Sequence, residues 1–172
     1  MHRILVRRAE SGDVAAMHAL LHPFAAKKVL LPRTQDELFQ HLQEFMVAEY
    51  DGVLVGMAAL HVYAANLAEV RSLVVSESHQ GMGIGRLLVE GCEKVALELG
   101  VECLFALTYV VDFFGRLGFG VVPKESLPHK VWTVCIHCDR FSHCDEVAVR
   151  KMLTPRREHA VVPILEDLRR DE

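Results

Sequence analysis

Long apolar runs are missing from this chain, and their absence is the first bound on what it does. The longest, such as Val53 to Leu60, is interrupted by Gly56 and falls far short of the ~20 residues that cross a bilayer. The opening segment, MHRILVRRAESGD, lacks the apolar centre and small-residue cleavage site of a secretory leader. A cytoplasmic protein with no membrane partner is therefore expected. A basic block is missing too: the formal net charge is -4, which offers nucleic acid no electrostatic footprint and favours a small-molecule partner. Cysteine is sparse and odd in number, five in all, so reduced thiols are expected rather than a disulfide framework. No linker, internal repeat or low-complexity tract divides the 172 residues, a length that suits one domain with a core of its own.

What is present alternates between the periods of strand and helix. RILVRRA reads as a strand and SGDVAAMHALLH as a short helix, with Ser11 or Asp13 available to accept from its first N–H groups. Pro32 breaks the loop that follows, and a second helical stretch is predicted from about Gln35 to Phe45. FMVAEY, the turn dipeptide Asp51-Gly52 and VLVGMAALHVY form a hairpin pattern, and AEVRSLVV a further strand. From Ile84 the apolar residues keep the i, i+3, i+4 spacing of a helix with one buried face, up to Gly100. VECLFALTY, VDFFGRL, Gly118 to Val122 and EVAVRKML then read as strand, short helix, strand and strand. The sum is one α/β domain with a mainly antiparallel start over residues 1–153, followed by a charged tail, 154–172, that can add a peripheral helix.

The densest local signal is HQGMGIGR, residues 79–86, where Gly81, Gly83 and Gly85 lie between a strand and a helix. Such a turn gathers backbone N–H groups at the positive end of a helix dipole, which is how a chain prepares an anion site. It is not a P-loop, because Gly85 is followed by Arg86 and Leu87 rather than Lys and Ser or Thr. Nor is it the dinucleotide fingerprint, since its glycines run G-x-G-x-G.

The pattern Q/R-x-x-G-x-G/A, met here by Gln80, Gly83 and Gly85 after SLVV, resembles the acetyl-CoA motif of the GNAT family of N-acetyltransferases. FFGRLGF at residues 113–119 resembles the late helix and Leu-Gly-Phe of the same family. The resemblance implies a mixed, mostly antiparallel sheet that splays open at the strand before the loop, flanked by helices. It implies acetyl-CoA as cosubstrate, with Leu73, Val74 and Val75 against pantetheine. Gln80, Gly81, Met82, Gly83, Ile84, Gly85 and Arg86 would then surround the pyrophosphate. LLPRTQDELFQHLQEFMVAE, EVRSLVV and LPHKVW, taken in order, are similar to the short, single-domain N-acetylglutamate synthases of bacterial arginine biosynthesis. That similarity implies acetyl transfer to the α-amino group of L-glutamate, and, from the family only, a homodimer.

An acceptor with two carboxylates calls for two cationic contacts, preferably planar guanidinium forks. Arg71 lies in the strand that feeds the loop; simple alternation puts it on one face with Glu69, Leu73 and Val75. Arg33 and Lys28 sit in the loop between the first two helices, which in this family lies over the acceptor. Direct attack of an amine on a thioester needs a base, an oxyanion partner and an acid. Glu69 is the candidate base, unless it is Arg71's structural partner, and His61 is the alternative; Val74 and Val75 N–H groups are candidates for the oxyanion. The tyrosine common in the late helix of the family is Phe114 here, so Tyr109 stands in as candidate acid. Cys92 falls on the apolar helix face and reads as core, against a covalent cysteine route.

Cys135, Cys138 and Cys144, with His143 beside them, have a spacing that suits a structural zinc, set against the alternative of three reduced thiols. Other small amines as acceptors, and a non-catalytic CoA- or zinc-binding regulator, are the rival readings.

Overall fold

A computed structural model of the chain describes residues 2–128 and 144–154; Cys135, Cys138, His143 and the tail from residue 155 lie outside them. Seven strands form one sheet: β1 (Ile4–Arg8), β2 (Phe45–Tyr50), β3 (Val53–Ala64), β4 (Leu67–Val75), β5 (Cys103–Thr108), β6 (Gly120–Val121) and β7 (Val147–Met152). Their order is β1-β2-β3-β4-β5-β7-β6. Among the described residues only β4 and β5 run parallel; every other pair is antiparallel. The β2–β3 hairpin turns at Asp51 and Gly52, whose φ values of 49° and 83° are the two left-handed residues that a two-residue turn of matching twist requires.

Helix α3 (Ile84–Glu98) follows β4 and buries Ile84, Leu88, Val89, Cys92 and Ala96 against one face of the sheet. Gly56 in β3 permits that approach: a Cβ there would stand 3.0 Å from a Leu88 methyl and 3.2 Å from one of Ile84. Helix α1 (Val14–Ala26) and the short α2 (Gln35–Gln40) cover the other face, where Val14, Met17, Leu21 and Leu38 meet Phe45, Val47, Met57, Ala59 and Val74. Helix α4 (Val111–Arg116) adds Phe114, packed edge-on against Phe113 and Phe119.

Three boundaries differ from the sequence reading. Helix α1 runs on through Pro23 to Ala26. The Asp13 carboxylate accepts from the Glu10 backbone N–H (2.7 Å) and from Arg7 rather than capping α1. The helix predicted to Phe45 stops at Gln40, opened by a Thr34/Glu37 capping box; a single tight turn, Leu42–Glu44, then delivers Phe45 as the first buried residue of β2. Burial of Phe45, Met46, Val47 and Ala48 in succession outweighs the helical spacing of the polar residues before them.

A non-glycine residue, Ser72, holds φ at 53° in the middle of β4. The β3–β4 register shifts at this point, Ala59 facing Arg71 but Met57 facing Val74. This bulge overturns the simple alternation. Val74 packs with the α1 side of the sheet, whereas Leu73 and Val75 join Ala68 and Val70 on the α3 side. Leu73 and Val75 therefore do not share a face with Arg71, because the extra residue shifts the pleat by one.

Candidate active site

Strands β4 and β5 pair only at Ala68–Leu104 and Glu69–Phe105. Beyond those positions they part, and among the described residues the outer edge of Leu73–Val75 has no strand beside it, β3 pairing being confined to the other edge. A cleft of about 900 Å³ opens there, walled by Leu73, Val74 and Val75 on one side and Leu107, Thr108 and Tyr109 on the other. It reaches Val29 and Leu30 of the α1–α2 loop at one end; Gln80, Gly81, Gly83 and Gly85 also line it.

The loop has the backbone its glycines promise. Gly81 and Gly83 stand at φ 77° and 80°, with open space where a Cβ would project. Gly83 is the N-cap of α3 and has no side-chain cap, so the first amides of the helix are not taken up by a capping group. Gly85 lets the Phe113 ring come within 3.4 Å of the position a Cβ would take. Gln80 turns its amide back to the Val75 carbonyl (3.2 Å), and Arg86 pairs with Glu90 at 2.7 Å. Ile84 is buried in the core, whereas Met82 is exposed and does not line the cleft.

The polar residues gather on the α1 side of β4. Arg71 donates from Nη2 to Glu44 Oε2 (3.0 Å), while its buried Nε has no acceptor among the described residues. Arg33 lies over the Phe45 ring at 5.9 Å and makes no hydrogen bond or ion pair among the described residues. Burial, and then the neighbouring charge of Arg71, draws the Arg33 pKa below its ordinary value. Two guanidiniums thus share one electrostatic neighbourhood, each with donor capacity to spare. Lys28 stands exposed with φ 56°; it is Lys27 that pairs, with Glu77.

Glu69 is 8% exposed and accepts from the Tyr63 hydroxyl at 2.8 Å. Burial pushes its carboxyl above the usual carboxylate range, although the Tyr63 hydrogen bond and the charge of Arg71 pull the other way. Arg71's hydrogen-bonded partner is therefore Glu44, not Glu69. His61 is engaged too, with Nδ1 3.0 Å from Glu44 Oε1. Tyr109, half exposed, lies on the cleft wall, whereas Glu69, Arg71, Arg33 and Lys28 stand behind or beside it. Cys92 is sealed in the core, where burial pushes its thiol up to about 12, an inert group at neutral pH. Cys144 Sγ approaches the Glu146 carboxylate at 3.8 Å. Among the described residues no group of three or more His, Cys, Asp or Glu side chains is placed to hold a metal, and no helix is long and apolar enough to cross a membrane.

Glu44 went unnoticed in the sequence. It lies in the stretch LLPRTQDELFQHLQEFMVAE, but nothing there singles it out beyond its place as an acidic residue directly before a run of four buried strand residues.

Comparison with known proteins agrees with this geometry. The profile of the Acetyltransferase (GNAT) family matches residues 14–119. An uncharacterized N-acetyltransferase of Chlorobaculum tepidum is 39% identical over 148 residues, covering 86% of this chain and 96% of that protein. An amino-acid acetyltransferase of Mycobacterium tuberculosis is 39% identical over 120 residues, 68% of each. Among solved structures, the N-acetylglutamate synthase of Neisseria gonorrhoeae, complexed with coenzyme A and N-acetyl-glutamate, superposes with a TM-score of 0.80 at 30% identity. That match covers 88% of this chain but 35% of the gonococcal one, so the likeness is to about a third of that protein.

Proposed function

The chain belongs to the GNAT acetyltransferase family and is an N-acetyltransferase; from that premise we propose that it acetylates the α-amino group of L-glutamate, in the cytoplasm, as an opening step of arginine biosynthesis. One observation carries the choice of acceptor: Arg33 and Arg71 face one neighbourhood, each with guanidinium donors that meet no acceptor among the described residues. Two such forks suit a molecule with two carboxylates, and a buried N–H without a partner costs free energy until one arrives. The solved relatives add weight, since the gonococcal N-acetylglutamate synthase was captured with the product of this reaction.

The cleft suits acetyl-CoA as the donor. Its β4 wall offers an unpaired backbone edge at Leu73–Val75 for an extended amide-bearing arm. Residues Gln80 to Arg86 offer backbone amides at the start of α3 for a pyrophosphate, with open space where a Cβ would project from Gly81 and Gly83. Bound there, acetyl-CoA would supply the thioester carbonyl that the amine attacks.

The residues divide the remaining work as follows. Arg71 and Arg33 hold the two carboxylates of the acceptor, and the exposed Lys28 adds long-range positive charge at the loop. Glu69, its carboxyl raised by burial, takes the ammonium proton through water, being set back from the cleft wall. The N–H groups near Val74 and Val75 face the developing oxyanion. Tyr109 on the opposite wall supplies a proton to the departing sulfur. Residues 1–153 carry this activity, Leu153 being the last of the described residues to pack into the core.

The deciding experiment is release of free thiol from acetyl-CoA by purified protein against a panel of amino acids and small amines. Release with glutamate well above the other acceptors is expected; a stronger response to another amine would replace glutamate as the acceptor, and silence across the panel would overturn the reading.

A further inference from the structure

The side chain that organises the acceptor region is Glu44. It stands in the tight turn between α2 and β2, and three cationic or imidazole groups from three different segments converge on its carboxylate. Oε2 accepts from Arg71 Nη2 on β4 at 3.0 Å. Oε1 takes both His61 Nδ1 on β3 and His41 Nδ1 at the end of α2, each at 3.0 Å. Burial alone would raise the Glu44 carboxyl, but the hydrogen bonds from His61 and His41 and the charge of Arg71 outweigh it and hold it at about 2. The group is a carboxylate throughout the neutral range and can only accept.

That fact settles an ambiguity in the geometry. His61 Nδ1 lies 3.0 Å from Glu44 Oε1 and also 3.1 Å from Arg71 Nη2. A guanidinium nitrogen only donates and a carboxylate only accepts, so Nδ1 cannot serve both. With Glu44 ionised the proton belongs on Nδ1, pointing at the carboxylate, and the neutral imidazole keeps its lone pair on Nε2. Arg71, held by Nη2, keeps its buried Nε–H in reserve.

We propose that Glu44 is a positioning residue of the acceptor site: by binding Arg71 through Nη2 it presents the Nε–H to a carboxylate of the amino-acid acceptor, and by binding His61 through Nδ1 it fixes that ring in the Nδ1–H tautomer. The proposal rests on the reading of Arg71 as a carboxylate-binding residue. It goes beyond that reading by assigning the orientation of Arg71 to Glu44, a residue with no role in that reading.

The test uses the full chain and the near-isosteric Glu44→Gln variant. Loss of a half-buried charge partner raises the KM for glutamate by about tenfold or more, while the KM for acetyl-CoA stays within about twofold, since Glu44 does not line the cleft. Glu44→Asp, which restores the charge, recovers part of the loss. In ¹⁵N spectra of Glu44→Ala, which leaves no side-chain amide to replace the carboxylate, the His61 signals change from the Nδ1–H to the Nε2–H pattern, because the acceptor for Nδ1–H is gone and Arg71 Nη2 stands 3.1 Å away as a donor to the Nδ1 lone pair. In an Arg71→Lys background the Glu44→Gln change adds less than about a twofold further rise in KM, as expected for residues acting as one unit. An unchanged glutamate KM, an unchanged His61 tautomer, or the full factor reappearing in the Arg71→Lys background would each overturn the proposal. If the wild type accepts a different amino acid, the same comparison is made with that acceptor. A KM effect there upholds the role of Glu44 while glutamate alone is abandoned.

Discussion

A buried carboxyl with no cation in hydrogen-bond contact is an uncommon thing to keep, and among the described residues Glu69 is one. Its partner is a phenol, Tyr63, and its pKa is displaced upward from 4.5 first of all by burial. In its proposed role as base it must be ionised to work, so the rate of acetyl transfer should rise with pH through a value above the ordinary carboxylate range. In Glu69→Gln that limb should vanish and the rate fall by about a hundredfold or more; a pH–rate profile of both proteins checks it. Stability should move oppositely. A carboxyl raised in the folded state favours the fold fully below its unfolded value of 4.5 and progressively less as pH rises through the folded value. Glu69→Gln should therefore gain on the parent above that window in urea melts, and match it below.

Ser72 poses the complementary question of backbone. A left-handed serine in mid-strand is strained by about 1–2 kcal/mol, and the structure keeps it at φ 53°. Ser72→Gly should match the parent or exceed it by up to about 1 kcal/mol, whereas Ser72→Val, branched at Cβ, should lose about 1–2 kcal/mol or more. Chemical denaturation of the pair decides this.

Among elements, what the sequence displayed well was whatever depends on local chemistry. The Asp51-Gly52 hairpin, the amphipathic α3 and the glycines before it were all legible, because turn residues and a 3.6-residue stripe act within one segment. Less legible were features decided across segments. The end of α2 is set by the burial of Phe45 under α1, and β6 shrinks to Gly120–Val121 at the sheet edge. The face taken by Leu73 and Val75 depends on a bulge that no residue type announces. Glu44 was invisible for the same reason: its meaning lies in His61 and Arg71, 17 and 27 positions away. Arg71 and Glu69 were legible as charges in an apolar strand, but not their partners. The loop before α3 supports an element-scale prediction. Gly83→Ala meets no steric obstacle, so its effect comes from the positive φ alone, about 1 kcal/mol of stability. The displaced amides should raise the KM for acetyl-CoA several-fold while leaving that for glutamate near its parent value, a split that steady-state kinetics resolves.

At the scale of the whole molecule, the sheet is continuous in order but not in bonding. Its two halves meet along a parallel contact of two register positions, Ala68–Leu104 and Glu69–Phe105. What holds them together is mainly the core cluster that crosses the gap, with Val70 and Leu88 on one side and Leu104, Ala106, Phe114 and Val149 on the other. Apolar packing weakens on cooling far more than a hydrogen-bonded ladder does. The gap that admits a ligand should accordingly be the most cold-labile place in the fold. Amide exchange at Leu104 to Leu107 is expected to speed up, relative to the β2–β3 hairpin, between about 25 °C and about 5 °C, and uniform slowing across both regions would contradict it. An enzyme built this way loosens in the cold at its working cleft first.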